Sequence, residues 1–227
     1  MTIGVNVDSV NTLLYHTDVL EKRAARPKRK RPSQYHHGDL RRALVQEALR
    51  TIQSDGVRGL TLRGVGETLG VSRTALYRHF KDKSALLAEV AREGFRTFRQ
   101  ELVDAWERGG RDWAAFESMG AAYIRFAREN PAHYRVMFGG FVVGSSDVEL
   151  VREGSGAFQA LVDAIVSLQK DGLMRADEPR QLAQFVWALV HGVAMLVIDG
   201  QLGAQADAGA VTRFALERLR TGTEKRN

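Results

Sequence analysis

Three features of the 227-residue sequence predict an all-α fold. Apolar residues recur at every third or fourth position over most of the chain after residue 37. Glycine, proline and asparagine clusters interrupt that pattern at helix-length intervals. No run of strict apolar–polar alternation is long enough for a sheet. At 44% hydrophobic and 26% charged residues, the chain can bury a substantial core.

Residues 1–34 carry no sustained period and end in "RAARPKRKRPSQ", where two prolines flank a basic cluster; this segment reads as a disordered basic tail. From Gly38 onward Leu40, Leu44, Ala48 and Ile52 recur at i+4, with Arg41, Arg42, Gln46, Arg50 and Gln53 off the stripe. That is an amphipathic helix, stopped near Asp55-Gly56. Thr61 is placed as an N-cap before "LRGVGETL", and Gly70 ends this second helix after two turns. Ser72 caps a third short helix, in which Leu76 and Phe80 form an i,i+4 apolar pair. Two short helices joined by "GVS" form a helix-turn-helix signal.

A fourth helix starts near Lys83 and runs through Leu86, Leu87, Val90, Phe95, Phe98 and Leu102 toward Gly109-Gly110. Further helices are expected over 112–129, 147–170, 179–199 and 207–221, separated by Asn130-Pro131, Gly139 to Ser146, Asp171-Gly172 and Gly200 to Gly209. "MFGGFVVG" reads as a short extended piece.

Net charge adds a functional constraint. The total is +6, yet residues 1–90 hold 16 Lys/Arg against 9 Asp/Glu, so the remainder is close to neutral. Such asymmetry points to a polyanionic partner for the N-terminal part. On a helical wheel Arg73, Thr74, Tyr77 and Arg78 fall within an arc of about 140°, away from Leu76 and Phe80. Guanidinium, hydroxyl and phenol groups on one face suit base edges and phosphate oxygens. Lys83 stands at an amide-rich helix start that itself favours phosphate, and Thr61 and Arg63 stand at the start of the second helix. A basic polar face can equally be a solvated surface. The tail cluster Arg26 to Arg31 fits a minor-groove arm, a phosphate tether or a solubility tail.

Other chemistries find little support. Cysteine is absent, which removes disulfides, thiolate nucleophiles and Cys-based zinc sites. "GVGETLG" has the spacing G-x-G-x-x-x-G without a preceding strand and is not a dinucleotide loop. His36-His37, His133 and His191 make no HExxH or i,i+4 pair, so no metal or other cofactor is expected. No nucleophile–base–orienter trio is visible, so no enzymatic activity is expected. The N-terminal residues lack the features of a secretory signal. Gln181 to Ile198 is eighteen residues without a formal charge, near the ~20 that a spanning helix needs. Its Gln and His residues and its acidic flanks favour a helix buried by protein. The expected location is the cytoplasm.

Residues Tyr35 to Phe95 resemble the DNA-binding domain of TetR-family transcriptional regulators, on "LTLRGVGETLGVSRTALYRHFKDKSALL". That resemblance implies a double-stranded DNA operator as partner and a repressor released by a small-molecule effector. It implies base-edge contacts from Arg73 and Thr74, a phosphate or base contact from Tyr77, and phosphate contacts from Thr61, Arg63, Ser72, His79 and Lys83. Gly64 and Gly66 depart from the polar residue and alanine usual there. Each should cost the second helix about 0.5–1 kcal/mol relative to alanine and leave it looser.

"AAYIRFARENPAHYRVMFG" with the later "FVWALVHGVAMLV" is similar to family members carrying a Trp-x-x-x-His-Gly signature, here Trp187, His191 and Gly192. This likeness implies a ligand-binding and dimerisation domain over 96–223, after a helix-turn-helix domain over 35–95. It implies homodimerisation through helices 179–199 and 207–221. Trp113, Phe116, Tyr123, Phe126, Met137, Phe138, Phe158, Trp187 and His191 are candidates to line an effector cavity. Read as plain residues the aromatics are ordinary core, and His191 a hydrogen-bonded core histidine. A nonspecific architectural DNA-binding protein and a helical enzyme are the alternative functions.

Overall fold

The computed structural model describes residues 37–142, 144–202 and 207–223; the basic tail over 1–34, with Tyr35, lies outside the described residues. Nine α-helices and no strand occur among the described residues: α1 His37–Gly59, α2 Leu62–Leu69, α3 Arg73–His79, α4 Lys83–Arg108, α5 Trp113–Glu129, α6 Pro131–Phe138, α7 Val148–Lys170, α8 Pro179–Ile198 and α9 Ala208–Thr223.

Local signals set most boundaries. The side chains of Thr61, Ser72, Asp82, Asp112, Asp147 and Glu178 each accept a backbone N–H from the first turn of the helix they precede. Gly56, at φ 72°, breaks the helical path of α1 near its end. The helix α6 departs from the sequence expectation, and the reason is local. Pro131 reads as a breaker, but it occupies the first turn of a new helix, where its missing N–H costs nothing. Met137 and Phe138 therefore end a helix, and the expected extended piece is replaced by bends and turns after Gly139.

The long helix α4 is the organising element. It packs against α1, α5, α6 and α7, while α8 lies against α5, α7 and α9. Leu86, Leu87 and Val90 of its first turns and Phe98 and Leu102 of its later turns belong to one continuous core that also holds Leu44, Ile52, Leu76, Phe80, Phe126 and Tyr134. The proposed boundary at residues 95 and 96 thus falls inside one continuous helix. By length and composition α8 could cross a membrane, with a mean hydropathy of 1.7. Here Leu182, Ala183, Val186, Val190, Val193 and Ala194 face protein instead.

Candidate nucleic-acid interface and interior cavity

The turn between α2 and α3 is built by backbone geometry. Gly70 adopts φ 68°, its N–H reaches Glu67 O at 3.1 Å, and Val71 N–H reaches Gly66 O at 3.0 Å. A Cβ at Gly66 would stand 3.0 Å from Leu76 Cδ2, and one at Gly64 would stand 2.8 Å from the capping Thr61 Oγ1. The two glycines that weaken α2 in isolation thus let it approach α3 and keep its cap.

Leu76 and Phe80, 2% and 1% exposed, hold α3 down. Arg73, Thr74, Tyr77 and Arg78 face outward, as the wheel predicts. Arg63, Arg73 and Tyr77 border a small groove of ≈150 Å³ between α2 and α3. Thr61 and Ser72 are exposed with their hydroxyl oxygens engaged as caps. Arg63 is held by Glu67 at 2.6 Å, an exposed pair that raises its pKa and that water screens.

Two expected phosphate contacts have an internal aspect that sequence reasoning missed. Lys83 Nζ donates to Val57 O at 2.8 Å, fastening the end of α1 to the start of α4. Arg41 donates to His79 O at 3.2 Å, covering a carbonyl at the C-terminal end of α3. Its guanidinium also lies 4.7 Å from the centre of the Phe80 ring. The same guanidinium pairs with Glu89, which also pairs with Arg92. Arg92 in turn lies 3.9 Å from Asp147, the N-cap of α7. A line of charges therefore runs from the end of α3 to the start of α7.

The helix α7 forms one wall of a cavity of ≈850 Å³. Phe116, Tyr123, Met137, Phe138, Phe158, Trp187 and His191 border it, as named from sequence. Trp113 and Phe126 do not. Trp113 opens α5 and donates its indole N–H to Leu173 O at 3.1 Å. Phe126 is 1% exposed and packs on Phe98, ring centres 5.1 Å apart. The sequence reading missed Phe95, Phe98 and Leu102 of α4, Met119, Leu161, Gln184 and Leu216. Their apolar spacing identified core faces without saying which faces enclose space.

Besides Gln184, a polar cluster interrupts this apolar wall. Trp187 Nε1 donates to Tyr123 Oη at 3.1 Å, Tyr123 and Tyr134 hydroxyls lie 3.0 Å apart, and Tyr134 Oη lies 2.7 Å from His191 Nδ1. Burial raises both phenols, Tyr123 to about 12, and lowers the His191 pKa. Burial therefore favours the neutral imidazole at His191. Among the described residues no group of three or more His, Asp and Glu side chains could hold a metal ion.

Part of the surface remains apolar. Phe185 and Leu196 on α8 are 57% and 40% exposed, and Phe214 on α9 is 61% exposed. Ala188 and Gly192 continue the α8 strip, and a Cβ on Gly192 would meet nothing within 4 Å.

Known proteins share both halves of this arrangement. The family "Bacterial regulatory proteins, tetR family" matches residues 44–90, and "Tetracyclin repressor-like, C-terminal domain" matches residues 116–219. The chain is 31% identical to the HTH-type transcriptional regulator YobS of Bacillus subtilis, over 82% of this chain and 93% of that protein. It is 38% identical to the tetracycline repressor protein class C of Escherichia coli, over 38% of each chain. A solved structure of a protein from Rhodococcus sp. RHA1 is 30% identical and superposes with a TM-score of 0.76, covering 85% of this chain and 99% of that one. With matched halves and a relative alike over nearly its full length, this chain belongs to the TetR family of bacterial transcriptional regulators.

Proposed function

We propose that the chain is a homodimeric repressor that reads a two-fold operator with α3 and releases it when a small molecule fills the interior cavity. The observation that carries this reading is the division of α3. Leu76 and Phe80 anchor one side, while Arg73, Thr74, Tyr77 and Arg78 stand free of the core on the other.

Arg73 and Thr74 contact base edges, and Tyr77 contacts base or phosphate. Thr61, Arg63, Ser72, His79 and Lys83 hold phosphates. Arg63 exchanges Glu67 for phosphate at little cost, because the exposed pair is weak. Lys83 spends one of its three N–H donors on Val57 and keeps two for DNA.

Helices α8 and α9 form the dimer, burying Phe185, Leu196 and Phe214 in a four-helix arrangement. Ala188 and Gly192 allow the helices to approach closely. Two copies of α3 then enter successive major grooves about 34–36 Å apart. Residues 35–95 are the DNA-binding part and 96–223 the ligand-binding and dimerising part, joined through α4. Trp187, His191 and Gly192 support reading the chain as a member that carries the Trp-x-x-x-His-Gly signature. It acts on DNA in the cytoplasm and carries no catalytic activity. Effector binding shifts α7, and the charges from Asp147 through Arg92, Glu89 and Arg41 pass that shift to α3; such coupling typically amounts to about 1–3 kcal/mol.

Arg73→Ala tests the assignment of the reading helix. It should lower affinity for the preferred duplex by about 1–3 kcal/mol while sparing scrambled DNA. Unchanged discrimination between the two duplexes would refute the role given to α3.

A further inference from the structure

We infer that the cavity takes an uncharged lipophilic molecule bearing one hydrogen-bond acceptor, such as a ketone or ester, which receives a hydrogen bond from Nε2–H of His191. The inference rests on the effector reading above and specifies its chemistry.

The protons of the polar cluster decide the His191 tautomer. The Trp187 indole N–H can only donate, and it points at Tyr123 Oη. In the forward sense His191 Nδ1 accepts: it lies 2.7 Å from Tyr134 Oη and 3.1 Å from Tyr123 Oη. One hydroxyl donates to it and the other donates to its neighbouring hydroxyl 3.0 Å away, so every hydroxyl proton has an acceptor. The reverse sense puts the proton on His191 Nδ1. Tyr134 would then donate to Tyr123, and the Tyr123 proton would have no acceptor within this cluster. The forward sense is therefore favoured, which makes His191 Nδ1 an acceptor and leaves the proton on Nε2.

His191 borders the cavity and its Nδ1 is taken by the two phenols, so Nε2–H is the ring donor left for a ligand there. The cluster thus presents a fixed donor to whatever fills the space.

Charge is excluded by the rest of the wall. Among the described residues no Lys, Arg, Asp or Glu borders the cavity, whose volume is ≈850 Å³. Arg96 and Arg99 on α4 lie 3.6 Å and 3.9 Å from the carboxylate of Glu153, which is almost fully buried. Arg180 lies over the Phe158 ring, 5.5 Å from its centre, and is not part of the wall. An ionised ligand would give up part of its hydration here without gaining a counter-ion.

Four matched probes test this in the full-length protein: hexylbenzene, para-hexylacetophenone, para-hexylbenzoate and para-hexylbenzylammonium. Binding is followed by intrinsic fluorescence, since Trp187 borders the cavity. The ketone should bind about ten-fold tighter than the hydrocarbon, the effect of one buried hydrogen bond, and both ions should bind more weakly than the hydrocarbon. His191→Leu should abolish the ketone's advantage while hexylbenzene still binds, which shows an intact cavity; His191→Gln, with an N–H near the same place, should retain much of it. The inference is overturned if either ion binds as tightly as the ketone, if the ketone has no advantage, or if no probe binds. Operator binding measured on the same samples separates the two readings. DNA binding without the ketone preference sinks only the ligand chemistry, whereas the preference without DNA binding sinks only the regulator reading.

Discussion

Replacing Lys83 by methionine keeps most of the aliphatic stem and removes the ammonium, so it separates two jobs assigned to one side chain. Internally, Nζ donates to Val57 O at 2.8 Å across a 26-residue separation, in a partly buried setting. A hydrogen bond from a charged group contributes about 1.5–3 kcal/mol. Partial exposure places the expected loss toward the lower end of that range. For a chain of this size, each kcal/mol moves the melting temperature by roughly 2–4 °C. Lys83→Met should therefore melt a few degrees below the wild type, in thermal denaturation followed by circular dichroism. Externally, the loss of one phosphate contact per protomer should reduce the slope of log affinity against log salt by about 0.9 for each contact. Because that slope is measured on folded protein well below the melting range, the two effects can be read independently. An unchanged melting temperature would refute the internal role, and an unchanged salt slope would refute the phosphate role.

Two further outcomes follow from the same geometry. Glu89→Gln leaves Arg41 and Arg92 close together without their shared carboxylate; operator affinity should fall, and the fold-change in that affinity on adding effector should shrink relative to wild type, measured by fluorescence anisotropy. Equal fold-changes would remove this line of charges from the coupling. Phe214→Glu places a charge on the exposed face of α9, and sedimentation should show a shift from dimer to monomer. A dimer of undiminished affinity would put the interface elsewhere.

The helix-turn-helix was legible because its determinants lie within a few residues of each other. Thr61, Gly70 and Ser72 act on the backbone beside them, and the Leu76/Phe80 spacing fixes which side of α3 faces inward. The start of α6 was hidden because Pro131 opens a helix with the same residue that elsewhere ends one. Cavity membership was only partly legible. Tyr123 and Phe126 share the apolar side of α5, but the first borders the cavity and the second fills the core against Phe98. Such a distinction depends on where neighbouring helices leave space, which helical spacing does not encode. The bond from Lys83 to Val57 and the cover that Arg41 gives to His79 were hidden for a related reason. Long basic side chains on a surface look alike in sequence, whether they reach solvent or fold back onto a carbonyl.

Selection of bound sequences from a pool of random duplexes tests the central claim most directly, because it assumes neither operator nor effector. The account predicts enrichment of an inverted repeat whose half-sites are one helical turn of DNA apart, and loss of that preference with Arg73→Ala. Recovery of no two-fold sequence, or equal retention of all duplexes, would contradict it.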